Sequence, residues 1–315
     1  MFRTIKIILA VVLLLAVAGS TYFAILFSRH NLEIRELNPE ARRAAPGSFI
    51  QLSQGMVHYE LAGPATGRTV VFIHGFSIPY YLWDHNFYAL ARAGFRVLRY
   101  DLYGRGYSDR PSGPYNARLF DRQLRELLEG LKLDEVDLVG ASMGGPIAVT
   151  FAVRHPEKVR TVSLFAPGYF TGSKLPFDLR APLLRDYTMA VKIAPALPGR
   201  QRQDLVHPEQ FPEYVSQYRA QMEFKGFRHA LLSTLQNYLT RDRREDYRRL
   251  GLIAKPVLLI WGKLDKDVPF ELSQKVLENV PQAEFHPLDG EAHAFYYESP
   301  EKVNPLLIQF LNEHK

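Results

Sequence analysis

The segment from Val136 to His155 constrains this chain more than any other. It reads as a short apolar run, Val136-Asp137-Leu138-Val139, then Gly140-Ala141-Ser142-Met143-Gly144-Gly145, then a helical run from Ile147 to His155. Strand, sharp turn and helix follow within twenty residues. A serine hydroxyl is a weak nucleophile and must stand clear of the backbone to meet both a base and a carbonyl carbon. A tight strand-to-helix turn does that, and glycines two before and two after the serine leave room for the crowded backbone. A helix that starts at the serine also aims its first amides and its dipole at a developing oxyanion. The alternative is a Gly-rich turn that only packs a strand on a helix, and the rest of the chain has to separate the two.

Strands alternate with helical stretches on both sides of this segment, the pattern of a largely parallel sheet covered on both faces. Ser48 to Leu61 reads as a hairpin around Gln54-Gly55. Thr69-Val70-Val71-Phe72-Ile73 reads as a buried strand running into His74-Gly75-Phe76. Tyr80 to Ala93 is a helix candidate, Phe95 to Tyr100 the next strand, and Arg118 to Leu131 an amphipathic helix. Thr161 to Phe165, Pro256 to Trp261 and Ala283 to His286 are further strands, and Pro300 to Asn312 is a last helix. Between about Gly168 and Arg249 the alternation stops, and prolines and aromatics punctuate helical runs such as Phe227 to Leu239. This stretch reads as an inserted helical cap. The expected organisation is therefore 1–30 apart from the rest, 31–47 a linker, 48–167 with 250–315 an α/β core, and 168–249 the cap.

An activated serine needs a base, an orienting acid and oxyanion donors. His293, in a loop after the last strand, can take the serine proton and return it to a leaving group. Asp265, just past the strand ending at Trp261-Gly262, can hold the imidazole tautomer and stabilise its charged form. The backbone N–H groups of Phe76 and Met143 can converge on one oxygen. All of them fall at carboxyl ends of strands, where open α/β sheets place their sites. Asp267 and Asp289 are the rivals for the acid. Among the other histidines, His74 reads as structural and His286 as a packed strand residue. Asp101 reads as a structural turn. Cap aromatics such as Phe170, Phe177, Tyr187 and Phe224 are candidates to line an acyl pocket, whereas Phe295-Tyr296-Tyr297 reads as core.

With these segments in hand, the chain resembles the α/β-hydrolase superfamily from about Phe49 onward. The carrying segments are His74-Gly75-Phe76, Asp101-Leu102-Tyr103-Gly104-Arg105-Gly106-Tyr107-Ser108, Gly140-Ala141-Ser142-Met143-Gly144-Gly145, Trp261-Gly262-Lys263-Leu264-Asp265 and Gly290-Glu291-Ala292-His293. The resemblance implies an eight-stranded sheet, a cap after the sixth strand, and Ser142, Asp265 and His293 as a catalytic triad. It is most similar to capped serine hydrolases, such as monoacylglycerol-lipase-like esterases and meta-cleavage-product (C–C bond) hydrolases. Epoxide hydrolases and haloalkane dehalogenases of this fold carry Asp where Ser142 stands, which disfavours their chemistry. Many relatives have Gly-His at the base and Pro two residues later, where this chain has Ala292-His293-Ala294-Phe295.

Ile7 to Phe27 is an uncharged apolar run of 21 residues, and a bilayer core takes about 20 helical residues. Two readings compete: a retained signal anchor, or a signal peptide cleaved near Ala16-Val17-Ala18. The run continues to Phe27, longer than a usual signal core, so the anchor is preferred. Positive charge flanks both ends, which sets orientation weakly; the expected topology leaves the catalytic body on the non-cytoplasmic side, and cleavage would instead give a secreted protein. With no cysteine, thiolate chemistry, disulfides and Cys-ligated clusters are excluded. The +6 net charge is dispersed apart from Arg241 to Arg249. No nucleic-acid motif, phosphate loop, dinucleotide loop or metal-ligand run accompanies it. The expectation is a cofactor-free, metal-free, membrane-anchored serine hydrolase of lipophilic, monoacylglycerol-like carboxylic esters. The alternatives are a C–C hydrolase using the same residues, an acyltransferase, and a non-catalytic binding protein.

Overall fold

The computed structural model describes residues 2–315. Eight strands form one sheet: β1 (Ser48–Leu52), β2 (Gly55–Ala62), β3 (Thr69–Ile73), β4 (Arg96–Tyr100), β5 (Val136–Ala141), β6 (Val159–Phe165), β7 (Val257–Gly262) and β8 (Ala283–Leu288). Their order is β1-β2-β4-β3-β5-β6-β7-β8. β2 runs antiparallel to β1 and β4, and every other pair is parallel. The eight-stranded, mostly parallel sheet expected from the sequence is thus present.

The central strands β3, β5 and β7 are buried at every residue, as a parallel sheet covered on both faces requires. Their near-continuous Val, Leu and Ile reflects that double burial. Helices Asp84–Arg92, Ala117–Gly130, Gly144–Arg154, Arg244–Leu252, Leu272–Asn279 and Pro300–Glu313 supply the cover. Ala117–Gly130 starts where Asn116 caps it, its side-chain oxygen accepting from Leu119 N at 3.1 Å, and buries Phe120, Leu124, Leu127 and Leu128 along one face. The helix expected from Tyr80 begins as a 3-10 turn, Tyr80–Trp83.

From β3 the chain goes to β4 on one side, then returns to β5 on the other. That reversal opens a crevice at the carboxyl ends of β3 and β5. Between β6 and β7 the chain forms the helices Phe177–Arg180, Pro182–Tyr187, Ala194–Gln203, Pro212–Met222 and Phe227–Thr234, with π-helical stretches at Thr188–Ile193 and Leu235–Leu239. The helix Arg244–Leu252, which follows, packs on Gly144–Arg154 and Leu272–Asn279, and Asp246 accepts from Thr150 Oγ1 at 2.8 Å.

Phe2–His30 is one continuous helix with no buried residue, long and apolar enough to cross a membrane. The segment after it is tied down. Arg35 N donates to Glu223 O and Lys225 N to Arg35 O, both at 2.9 Å. Arg228 Nη2 reaches Asn31 Oδ1 at 2.8 Å and Glu33 Oε2 at 3.1 Å.

Candidate active site

β5 ends at Ala141 and the next helix begins at Gly144, so Ser142 must turn the chain within two residues. It does so at φ 51°, a left-handed conformation that costs a non-glycine residue roughly 1–3 kcal/mol and is kept where the surroundings over-determine it. The flanking glycines are required by close approach. A Cβ on Gly140 would lie 2.3 Å from Gly144 O, and one on Gly144 would lie 2.1 Å from Ile73 O. The turn after β3 passes directly over the serine: a Cβ on Gly75 would sit 3.6 Å from Ser142 Oγ.

Ser142 and His293 line one cavity of about 100 Å³. His293 Nδ1 and Asp265 Oδ2 are 2.6 Å apart, and both residues are buried. The other carboxylate oxygen of Asp265 accepts from Asp267 N at 2.9 Å and Val268 N at 2.8 Å. Asp265 is thereby locked facing the imidazole, with Nδ1 as the donor. Asp267 is exposed at the cavity rim, and Asp289 pairs with Lys263 on the surface. The loop carrying His293 is held from both sides: Leu264 N donates to Glu291 O at 2.8 Å, and Ser299 Oγ donates to Glu291 at 2.9 Å.

Burial works against a charged imidazole at His293, but the carboxylate of Asp265, aided by Asp204 and Asp267, outweighs it and holds the group up to about 9. Burial, with the nearby Arg105 charge, pushes His74 down to about 4 against the pull of Asp101; its Nε2 accepts from Leu102 N at 2.9 Å, a structural role. His286 pairs with Glu284 at 2.6 Å on the partly exposed edge strand. Asp101 is the turn acid: it accepts from Tyr80 N and Tyr107 N at 2.9 Å each and pairs with buried His58 at 2.8 Å.

The amides of Phe76 and Met143 have no hydrogen-bond acceptor among the described residues. Phe76 sits on the cavity wall beside Ser142. Its carbonyl is held by Arg105 Nε at 2.8 Å. Arg105 is fully buried without a carboxylate partner; it also donates to Tyr103 O at 3.1 Å and, across to the cap, to Thr234 Oγ1 at 2.9 Å. Burial draws its guanidinium down to about 10. In the sequence Arg105 lies inside a Gly-rich turn, Gly104-Arg105-Gly106, with no local signal of this role.

The cavity walls differ from expectation. Of the four named cap aromatics, none reaches it. Phe170 packs on Tyr238, Tyr187 on Phe23, Phe224 on Tyr107, and Phe177 is exposed. Tyr214, Leu197, Gln201 and Asp204 of the cap line it instead, with Tyr296 from the stretch read as core. Asp204 is buried with no partner on its carboxylate among the described residues, and burial raises its proton affinity well above the ordinary range. Its carbonyl accepts from Ala294 N at 2.8 Å, which ties the cap to the residue after His293.

No group of His, Asp and Glu among the described residues could hold a metal ion.

The family model for the alpha/beta hydrolase fold matches residues 68–300. A 2-hydroxy-6-oxononadienedioate/2-hydroxy-6-oxononatrienedioate hydrolase of Paraburkholderia phymatum is 31% identical over 294 residues, covering 86% of this chain and 97% of that protein. The AB hydrolase superfamily protein YisY of Bacillus subtilis is 28% identical over 256 residues, 78% and 92% of the two chains. An enol-lactonase structure from Burkholderia xenovorans superposes with a TM-score of 0.73 at 21% identity, over 84% of this chain and 100% of that one. At that identity the likeness speaks for the fold. Family match, relatives and sheet agree: the chain belongs to the alpha/beta hydrolase family.

Proposed function

We propose that the protein is a serine hydrolase working through an acyl-enzyme on Ser142. The observation that carries this reading is the Asp265–His293 pair at 2.6 Å sharing one cavity with a serine held at φ 51°. Ser142 Oγ attacks a substrate carbonyl while His293 takes its proton. Asp265 keeps the imidazole tautomer and stabilises its charge. The Phe76 and Met143 amides receive the oxyanion; one such donor is worth about 2.7–4 kcal/mol. His293 then gives its proton to the leaving group, and water attacks the acyl-enzyme with His293 again as base.

The cavity has both apolar walls, from Ile78, Leu82 and Leu197, and polar ones. It measures about 100 Å³, and Ser77, Gln201 and Asp204 put polar atoms on its wall. The substrate named in the relative from Paraburkholderia phymatum is a short hydroxy-oxo-dienedioate. C–C hydrolysis of a vinylogous diketone of that class is therefore the first reading of the bond cleaved. There, once the 2-hydroxydiene has ketonised, the leaving carbon is stabilised as a dienolate through the intervening C=C by the distal carbonyl, and His293 protonates it. Ester hydrolysis is the second reading, and the apolar helix beside the cap favours it, since a membrane tether supplies lipophilic esters. We read Phe2–His30 as that tether, with the catalytic body on the non-cytoplasmic side.

A substrate panel separates the two. The full-length protein in mild detergent is given a meta-cleavage dienone acid, p-nitrophenyl esters of rising chain length and a monoacylglycerol, with Ser142→Ala as control. Serine-dependent loss of the dienone supports C–C cleavage. Turnover confined to esters moves the assignment to the second reading, and no turnover of either class contradicts both.

A further inference from the structure

The apolar helix does not stand off from the catalytic body. Phe23 meets Tyr187 of the cap edge-on, ring centroids 4.6 Å apart. A groove between the two is lined by Leu15, Phe23 and Phe27 from the helix and by Leu184 and Tyr187 from the cap. The junction is held by several contacts. Arg228 lies over the Phe27 ring at 5.0 Å, its backbone N–H reaches Glu33 at 2.6 Å, and Lys225 Nζ reaches Glu36 at 2.5 Å.

Membrane depth then follows from helix geometry. Ile7 to Phe27 fills a hydrocarbon core of about 30 Å at 1.5 Å per residue. Phe23 therefore lies about 6 Å inside the end of that run and Leu15 about 18 Å inside it, so the partner that faces both reaches from the boundary between headgroups and acyl chains into the hydrocarbon. That partner is the corner of the cap from Phe177 to Tyr187. Its surface suits the boundary. Phe177 is 69% exposed, and Leu184 is 38% exposed at the edge of the groove it shares with the helix. Lys174, Arg180 and Lys192 are exposed around them; Asp178 lies 3.9 Å from Lys192 and Asp186 3.9 Å from Arg185, so cations outnumber carboxylates at this corner. The corner is helical, Phe177–Arg180 and Pro182–Tyr187, which satisfies most backbone groups without water.

We propose that this cap corner, Phe177 to Tyr187, inserts into the leaflet next to the catalytic body, with the anionic lipid bilayer as its partner. The inference rests on reading Phe2–His30 as a retained anchor. It has a functional consequence. The same helical run continues through Thr188–Ile193 into Ala194–Gln203, whose Leu197 and Gln201 line the catalytic cavity. One rod thus runs from the leaflet to the site.

The chain has no cysteine, so single labels are clean. Phe177→Cys, Leu184→Cys, Val12→Cys and Asp134→Cys are made in the full-length protein and labelled with an environment-sensitive fluorophore. Each is reconstituted in phosphatidylcholine–phosphatidylglycerol vesicles carrying acyl-chain spin labels. Asp134 marks the opposite end of the sheet, before β5. The expected result is about a twofold fluorescence loss at positions 177, 184 and 12 and none at 134, the pattern of interfacial burial. Quenching at 12 without quenching at 177 and 184 overturns the inference and leaves the anchor standing. No quenching at 12 removes the anchor reading and the inference with it. Quenching at 134 as well means general adsorption and also overturns it.

Discussion

Arg105 Nε donates to the carbonyl of Phe76 at 2.8 Å, so a buried guanidinium from the turn after β4 holds a residue that lines the cavity beside Ser142. A charge buried without a carboxylate partner is costly, and its three acceptors lie on three separate parts of the fold. On the proposed mechanism Arg105 is a positioning residue for the oxyanion site. Arg105→Lys keeps the charge but loses the fork. The expected outcome is a fall in kcat of about 10–100-fold with KM within about threefold, because the interaction matters most once the oxyanion forms. Steady-state kinetics checked against thermal melts tests this; equal losses in kcat and melting temperature would mark a purely structural role.

The pH profile follows from His293. As the base it must be neutral, and it is held up to about 9 by Asp265 and its neighbours against burial. kcat/KM is expected to rise about tenfold per pH unit below that value and to level off above it. The stability sign is the reverse. A raised imidazole contributes stability fully below its unfolded value near 6.5, and the contribution is lost as pH rises through about 9. Rates and melting temperatures measured between pH 6 and 10 on the order of these values test both.

The two neighbouring acids are expected to differ sharply on substitution. Asp265→Asn should lower kcat by about 10⁴-fold through the wrong imidazole tautomer. Asp267→Asn should change it by less than about tenfold, since its carboxylate is exposed and unpaired with the imidazole. The reverse order in a side-by-side kinetic comparison would reassign the acid.

Much of this site was legible because its signals are local. Strand, Gly140, Ser142, Gly144 and helix are contiguous, and each glycine answers to a contact below 2.5 Å that any Cβ would make. Asp265 was readable only with Asp267 as a rival. Both lie in one loop, and the choice is made by a turn in which Asp265 takes the N–H groups of residues 267 and 268. The cavity wall was not readable. Phe170, Phe177, Tyr187 and Phe224 were as plausible as Tyr214, and only the packing of Pro-interrupted helices decides which ones face the serine. Asp204 gave no signal either, because its environment is assembled from the loop after β7, the His293 loop and the cap. Arg105 sat inside a recognised turn, but its partners Phe76 and Thr234 are distant in sequence.

The central claim is that Ser142 is a nucleophile activated by His293. The most direct measurement is labelling of the full-length protein with a fluorophosphonate probe, followed by mass spectrometry of the modified peptide. The account predicts a single adduct on Ser142, absent from Ser142→Ala and slowed on the order of 10⁴-fold in His293→Ala. An unlabelled, folded protein, or an adduct on another residue that survives Ser142→Ala, would contradict it.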